Sequence, residues 1–240
     1  MTARLHSIEV TIRDPAATAR RFAALIGDAG RLTLQQGLRQ PRGPDGLRTT
    51  GPAHLCIQGS DIDVLAARLA HGGWRAFGAP TALGGSIRYQ YADDDDGLIV
   101  EIESVPGTPA DASPWLAHVA LATPDRDRLV DWYAALTGTM PRRSSRLGPN
   151  ARVDQLTGMA AVEVSGAWLP AGDLEIEFWT YHAPPPRDGP PGPLGALIFT
   201  TPDLAAEVVR LEHHGFKIDD SGATALDPDG NVVRLIETAA

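Results

Sequence analysis

GLIVEIESVPGTPADASPWLAHVAL, residues 97–121, reads as a strand, a Pro/Gly/Ser-rich connection and a second strand. In the first strand Leu98, Val100 and Ile102 alternate with Ile99, Glu101 and Glu103, so one face is apolar and the other carries carboxylates. In the second, His118 shares a face with Leu116 and Ala120, opposite Ala117, Val119 and Leu121. An imidazole and a carboxylate on two linked strands could line one concavity.

The second of these strands belongs to a repeat. Four segments each give a short apolar strand, then an Asp seven residues after a fixed strand position, then a helix. They are SIEVTIRD (7–14), HLCIQGSD (54–61), HVALATPD (118–125) and ALIFTTPD (196–203). Each Asp is placed to cap the following helix, because its carboxylate can accept first-turn N–H groups that have no helical partner. The helices are expected to stop at Gly27, Gly72, Gly138 and Gly215.

After the helices, strand-like alternation returns. SIRYQYADDDDGLIVEIE predicts a hairpin turning at Asp93 to Gly97, and MAAVEVSGAWLPAGDLEIEFWTY one turning near Pro170 to Asp173. ATALDPDGNVVRLIE turns at Asp229-Gly230, a strong hairpin signal. The first unit is short: RLTLQQGLRQ offers one or two strands, and a full set does not fit. APPPRDGPPGP (183–193) reads as a linker. The expected units are 1–50 (reduced), 51–108, 114–185 and 193–240, in an α+β chain.

At 240 residues, with 43% hydrophobic and 21% charged content, the chain can bury a sizeable core. A net charge of −9 argues against nucleic acid or an anionic membrane as the main partner. No apolar run reaches membrane-spanning length, and MTARLHSIEV lacks a signal-peptide layout. The single cysteine, Cys56, excludes an internal disulfide framework, so a cytoplasmic location is expected.

A strand, a helix and a small antiparallel sheet, repeated four times, resembles the vicinal-oxygen-chelate superfamily, which includes glyoxalase I, bleomycin-resistance proteins and extradiol dioxygenases. The phrases that carry the resemblance are HVALATPDRDRLVDWYAALTG, RVDQLTG followed by LEIEFWTYHAP, and DPDGNVVRLIE. They cover three units well and the first only through its opening strand and helix. The resemblance implies βαβββ-type units paired into two cupped, incomplete β-barrels. It also implies a divalent metal held by the first and last strands of two paired units.

Carried onto this chain, the first-strand ligand position falls on Ser7, His54, His118 and Ala196. The last-strand position is unresolved in unit one and then falls on Glu101, Glu177 and Arg234. Only units two and three carry both ligand types. His54, Glu101, His118 and Glu177 are therefore the expected metal set, suited to Zn, Ni, Fe, Co or Mn. A lone strand histidine is ordinarily structural, but here four positions match at once, and burying such groups unpartnered is costly. The 17-residue step from Glu101 to His118 resembles that within two-unit members of the family, a resemblance that implies pairing of units two and three and leaves Arg234 facing the reduced unit, with Glu9 near it.

The remaining polar residues fit plainer roles. His6 is expected at a core-facing or edge position, His71, His213 and His214 at helix ends, and His182 at the start of the linker. Glu103 and Glu175 could be bases or substitute ligands but read rather as solvated rim carboxylates, while Asp93 to Asp96 lacks an EF-hand's spacing and reads as a polar turn. Trp179, Cys56 and Arg152 are candidate substrate contacts, with Arg143, Arg146 and Arg152 expected in a loop and strand after the third helix.

By resemblance, the expected activity is a metal-dependent lyase or isomerase acting on an α-oxygenated carbonyl through an enediolate-like intermediate, with Glu101 or Glu177 moving the proton. An Fe(II) extradiol dioxygenase and a metal-free binding or resistance protein are the alternatives. The expected partner is a small-molecule substrate, without nucleic acid or membrane, and a homodimer stays open.

Overall fold

The computed structural model describes residues 2–28 and 30–238. Unit one holds β1 (Arg4–Ile12), α1 (Pro15–Ile26) and β2 (Leu32–Gln36). A short 3-10 turn, Pro44–Arg48, leads to unit two: β3 (Gly51–Gly59), α2 (Ile62–His71), the two-residue strands β4 (Arg75–Ala76) and β5 (Thr81–Ala82), β6 (Arg88–Asp93) and β7 (Ile99–Ser104). Unit three holds β8 (Trp115–Ala122), α3 (Arg126–Thr137), β9 (Arg142–Leu147), α4 (Ala151–Thr157), β10 (Glu163–Pro170) and β11 (Glu175–Ala183). Unit four holds β12 (Leu194–Thr201), α5 (Leu204–His213), β13 (Thr224–Leu226) and β14 (Val232–Glu237). The architecture is α+β, with two open, cupped sheets rather than closed barrels. No helix among the described residues is long and apolar enough to cross a membrane.

The repeated Asp starts four helices. Asp14 accepts from Ala17 N–H at 2.9 Å, Asp61 from Asp63 N–H at 2.8 Å, Asp125 from Arg128 N–H at 3.2 Å and Asp203 from Ala206 N–H at 2.9 Å. Gly27 and Gly138 close α1 and α3 in left-handed conformation, which a side chain would strain. Replacing Asp14 or Asp203 by alanine is expected to cost about 1 kcal/mol in urea denaturation, the usual worth of a cap.

Units two and three share one sheet, ordered β4-β6-β7-β3-β8-β11-β10-β9 with β5 on β6, while units one and four share the other, ordered β13-β14-β12-β1-β2. Each sheet is joined by an antiparallel seam between first strands, β3 with β8 and β1 with β12. In each unit the last strand lies parallel beside the first: β7 on β3, β11 on β8, β14 on β12 and β2 on β1. RLTLQQGLRQ thus supplies one strand, and it occupies the last-strand place. The first unit lacks the strands in between.

One apolar core runs through both sheets and four helices, from Leu5, Ile8 and Phe22 to Tyr133, Phe178, Phe199 and Val233. Aromatic rings and ion pairs tie the sheets together. Phe22 of α1 meets Trp74 edge-on at 6.1 Å, and Arg21 pairs with buried Asp94 at 3.0 Å. Asp93 to Asp96 is therefore a turn whose carboxylates meet arginines and backbone N–H groups.

Three expectations are corrected here. His6 does not face the core: it is exposed, at a register shift of β1 between Leu5 and Ser7 that turns it outward. His182 does not open the linker; it lies within β11 and meets Ser165 Oγ at 3.0 Å. Arg152 is not in a loop or strand but in the first turn of α4, which Asn150 caps and Gly158 closes.

Candidate metal centre

The strands β7, β3, β8 and β11 lie side by side in the middle of the larger sheet, and each contributes one residue to a cluster on its concave face. They bring together Glu101, His54, His118 and Glu177 in that order. Every side chain is nearly or fully inaccessible, at 3%, 1%, 3% and 4% exposure respectively. His118 Nε2 lies 3.4 Å from Glu101 Oε2 and 3.2 Å from Glu177 Oε2. His54 Nε2 lies 3.5 and 3.6 Å from the same two oxygens. One ligand atom from each residue falls within 4.8 Å of all the others.

Strand register explains the convergence. Cys56 of β3 sits opposite His118 across the antiparallel seam, and His54 sits opposite Ala120. A shift in β3 between Pro52 and His54 adjusts the pairing just before the ligand position. In both units the last-strand glutamate pairs with the residue two past the histidine, Glu101 with Cys56 and Glu177 with Ala120. An approximate twofold relation between the units follows.

His54 Nδ1 and Nε2, His118 Nε2 and Glu177 Oε2 are buried without a hydrogen-bond partner. Buried polar atoms are ordinarily satisfied, and three of these, His54 Nε2, His118 Nε2 and Glu177 Oε2, lie together where one cation would satisfy them. Two imidazole nitrogens and two carboxylates form a suitable donor set. The electrostatics agree. Burial disfavours the charged form of both glutamates, but His118 and His54 outweigh it and hold both below the usual carboxylate range. Burial also opposes protonation of His54, yet Glu101 and Glu177 raise it above an ordinary imidazole. Cys56, Glu177 and Glu101 overcome burial at His118 and raise it further.

Cys56, Glu101, Glu103 and His118 form an overlapping group whose ligand atoms also lie within 4.8 Å of one another. Burial pushes the Cys56 thiol well up, so it must give up a firmly held proton before it can ligate. In the two-His, two-Glu set both carboxylates are already ionised, and only the imidazoles have protons to release.

A cavity of about 390 Å³ opens over this cluster. Glu101, His118 and Glu177 reach it from the sheet, and Tyr89, Tyr181 and Trp179 line its sides. Trp179 therefore stands where a substrate contact was expected, edge-on to Trp168 at 5.8 Å. Cys56 does not: it is fully buried beside His118, behind the cavity wall. Arg152 does not either, because its helix turns Val153 and Leu156 to the cavity and leaves Arg152 exposed. Arg143 pairs with Asp127 at 3.0 Å, and Arg146 pairs with Glu163 at 3.0 Å, both at the surface.

Two residues with other expected roles, or none, line the cavity. Arg142 reaches it with its guanidinium 4.6 Å from the Trp168 ring centre. Glu103 is no solvated rim carboxylate: it is 9% exposed and accepts from Gln58 Nε2 at 2.6 Å. Burial and the neighbouring charge of Glu101 push its carboxyl up to about 7. Alternation along β7 places Glu103 on the Glu101 face; its burial depends on the strands around it.

The other sheet holds the matching positions. The same two-residue offset pairs Glu9 with Thr33 and Ile198 with Arg234, so Thr33 fills the last-strand place missing from the sequence reading. Ser7 Oγ lies 3.4 Å from Thr33 Oγ1, and Arg234 Nη1 donates to Glu9 Oε1. Ser7, Thr33, Ala196 and Arg234 make no ligand set, and a guanidinium occupies the place of a carboxylate.

A family model described as Glyoxalase/Bleomycin resistance protein/Dioxygenase superfamily matches residues 115–235. No curated protein matches the chain. Among solved structures, a mutant of glyoxalase I from Zea mays aligns with a TM-score of 0.71 at 16% identity, covering 98% of this chain and 94% of that one. Glyoxalase I from Zea mays without that mutation gives 0.65 at 17%, over 98% and 92% of the two chains. A Bacillus subtilis protein proposed to be a dioxygenase gives 0.63 at 15%, over 100% and 86%. At these identities the likeness is one of fold, and it extends over all four units. The family match over half of the sequence makes this chain a member of the glyoxalase/bleomycin-resistance/dioxygenase superfamily.

Proposed function

We propose that the chain is a metal-dependent lyase or isomerase of the glyoxalase or epimerase type, acting on a small α-oxygenated carbonyl compound. The observation that carries this is the convergence of His54, Glu101, His118 and Glu177, with their buried, unpartnered atoms, at the floor of a substrate-sized cavity. These four residues would hold one divalent ion, of the Zn, Ni, Fe, Co or Mn kind. When bound, the ion supplies Lewis acidity that lowers the cost of removing a proton next to a carbonyl.

The chain's own groups supply the rest. Glu101 or Glu177, facing the cavity, can take the proton from one carbon and return it to its neighbour. Glu103, with its carboxyl near neutrality, can hold a proton at the cavity wall. Trp179, Tyr181 and Trp168 exclude water from an apolar substrate body, and Arg142 can meet an acidic group at the rim.

The test pairs elemental analysis with isotope exchange. Protein purified without chelators should hold one divalent ion per chain and wash the α-proton out of α-hydroxycarbonyl compounds in D₂O, read by NMR. Oxygen uptake with catechols and no exchange would favour the dioxygenase. Absence of metal after metal-supplemented expression would favour a binding protein, to which the aromatic cavity is also suited. Glu103→Gln is expected to keep the metal and lower kcat by about 100-fold, the low end for a lost acid–base group.

A further inference from the structure

We propose that a second cavity, lined by Arg39, Arg42 and Arg187, binds a doubly charged oxyanion, either a phosphate group or a dicarboxylate. The cavity is about 530 Å³ and lies between the segment preceding β3 and the Pro-rich linker that follows β11. None of its lining residues belongs to the His/Glu centre or to the cavity above it.

Two of these guanidinium groups each leave one buried nitrogen without an acceptor. Arg42 Nη2 donates to Gly46 O at 3.1 Å, but Arg42 Nη1 is buried and finds no acceptor. Arg39 Nη1 donates to Leu38 O at 3.0 Å, while Arg39 Nε is buried and equally unpartnered. Neither side chain forms an ion pair among the described residues. Arginine keeps its charge, so a buried guanidinium N–H without an acceptor carries a desolvation cost that an anion would offset.

The acidic group at the cavity does not meet this need. Asp45 accepts from Arg187 Nη1 at 2.8 Å and from Arg48 Nε at 2.9 Å, so its charge is already shared by two arginines. Three arginines against one carboxylate leave a local positive excess, in a chain whose net charge is −9. Burial first, and the nearby Arg187 second, push Arg42 down to about 10. Planar guanidinium forks offer paired N–H groups to an oxyanion, a geometry that ammonium groups lack.

The backbone holds the arginines in place. Arg187 N–H donates to Arg48 O at 3.0 Å, and Thr50 N–H donates to Arg187 O at 3.2 Å, which ties the linker to the 3-10 turn. Gly192 passes so close to Arg42 that a Cβ there would collide with Nη1. The site is thus composed of two segments that meet at the seam between the halves.

The test is calorimetric titration of inorganic phosphate and, separately, malonate into the protein as purified, with the Arg39→Gln protein separating this site from any anion binding at the His/Glu centre. Chloride at matched ionic strength is the control. Saturable binding of phosphate or malonate, weakened about tenfold by Arg39→Gln and by Arg42→Gln, is expected for the loss of a charge-assisted contact. The tighter anion names the ligand class. Arg39→Gln guards against misfolding of the more buried Arg42 variant, and Arg39→Lys should recover part of the affinity. No saturable binding of either anion, equal binding of chloride, or affinity unchanged in a folded Arg39→Gln protein would overturn the proposal.

Discussion

His118→Ala and Glu177→Ala proteins are expected to purify without stoichiometric metal, whereas His71→Ala and His213→Ala proteins keep one divalent ion per chain. The first pair are buried at the convergence point of the larger sheet, and the second pair sit in the last turns of α2 and α5. Loss of an outer partner already costs roughly 10–100-fold in metal affinity, and removing a direct ligand costs more. Affinity should fall by over about 100-fold in either cup variant, measured by competition with a chromogenic chelator. Each substitution also strips a counter-charge from the remaining groups, so circular dichroism must show that the fold persists. Full metal retention by His118→Ala, in a folded protein, would overturn the assignment.

The proton inventory gives this expectation a pH dependence. Without metal, the two glutamates hold His54 and His118 above an ordinary imidazole, despite burial that works in the other direction. An imidazole must be neutral to ligate, so metal uptake releases these protons. Affinity should therefore keep climbing with pH beyond about 6.5, where a free imidazole is already mostly deprotonated, and level off only above the raised values. Calorimetry in buffers of different ionisation enthalpy reads the released protons directly. A pH-independent affinity between neutral and mildly alkaline conditions would show that the imidazoles are not held protonated.

The sequence was most legible where one residue type does one local job. Asp14, Asp61, Asp125 and Asp203 declare helix starts because capping needs only a carboxylate and the next three residues. The hairpins at Asp93 to Gly97, Pro170 to Asp173 and Asp229-Gly230 declare themselves by turn chemistry. His54, Glu101, His118 and Glu177 fall together because the repeat fixes their register.

Less legible were features that depend on neighbours. Helix α4 is only seven residues long, too short for a clear apolar period, although Asn150 and Gly158 bracket it. Thr33 could be identified only once β2 was seen parallel to β1. Glu103 and Glu101 share one face of β7, and alternation cannot say that both are buried. Arg142 faces the cavity while Arg143 pairs across the surface, and that choice is set by the pleat of β9, whose bounds the sequence does not give.

Tyr133→Ala is expected to destabilise the whole molecule by about 4 kcal/mol, the usual cost of truncating a buried aromatic side chain. In a protein of this size that lowers Tm by roughly 8–16 °C. Tyr133, on α3, is fully inaccessible and touches both sheets: its ring lies 5.4 Å from Phe178 on β11 and 6.3 Å from Phe199 on β12. Its hydroxyl donates to Asp227 at 3.0 Å, in the turn of unit four. The same seam is bound by Arg210 of α5, which donates to Ala135 O and Leu136 O at 2.9 Å each, and by Arg128, which pairs with Asp229 at 2.6 Å. Asp227 keeps Asn231 Nδ2 at 2.8 Å when the tyrosine hydroxyl is gone, so Tyr133→Phe should cost only about 1 kcal/mol. Because one core spans both sheets, unfolding followed by tryptophan fluorescence and by circular dichroism should remain a single coincident transition in each variant. Two separated transitions in Tyr133→Ala, with the metal retained through the first, would show that the ligand-bearing sheet stands without the other. A coincident transition, with metal released at the same midpoint, would mean that units one and four, though stripped of ligands, hold the cup of units two and three in shape.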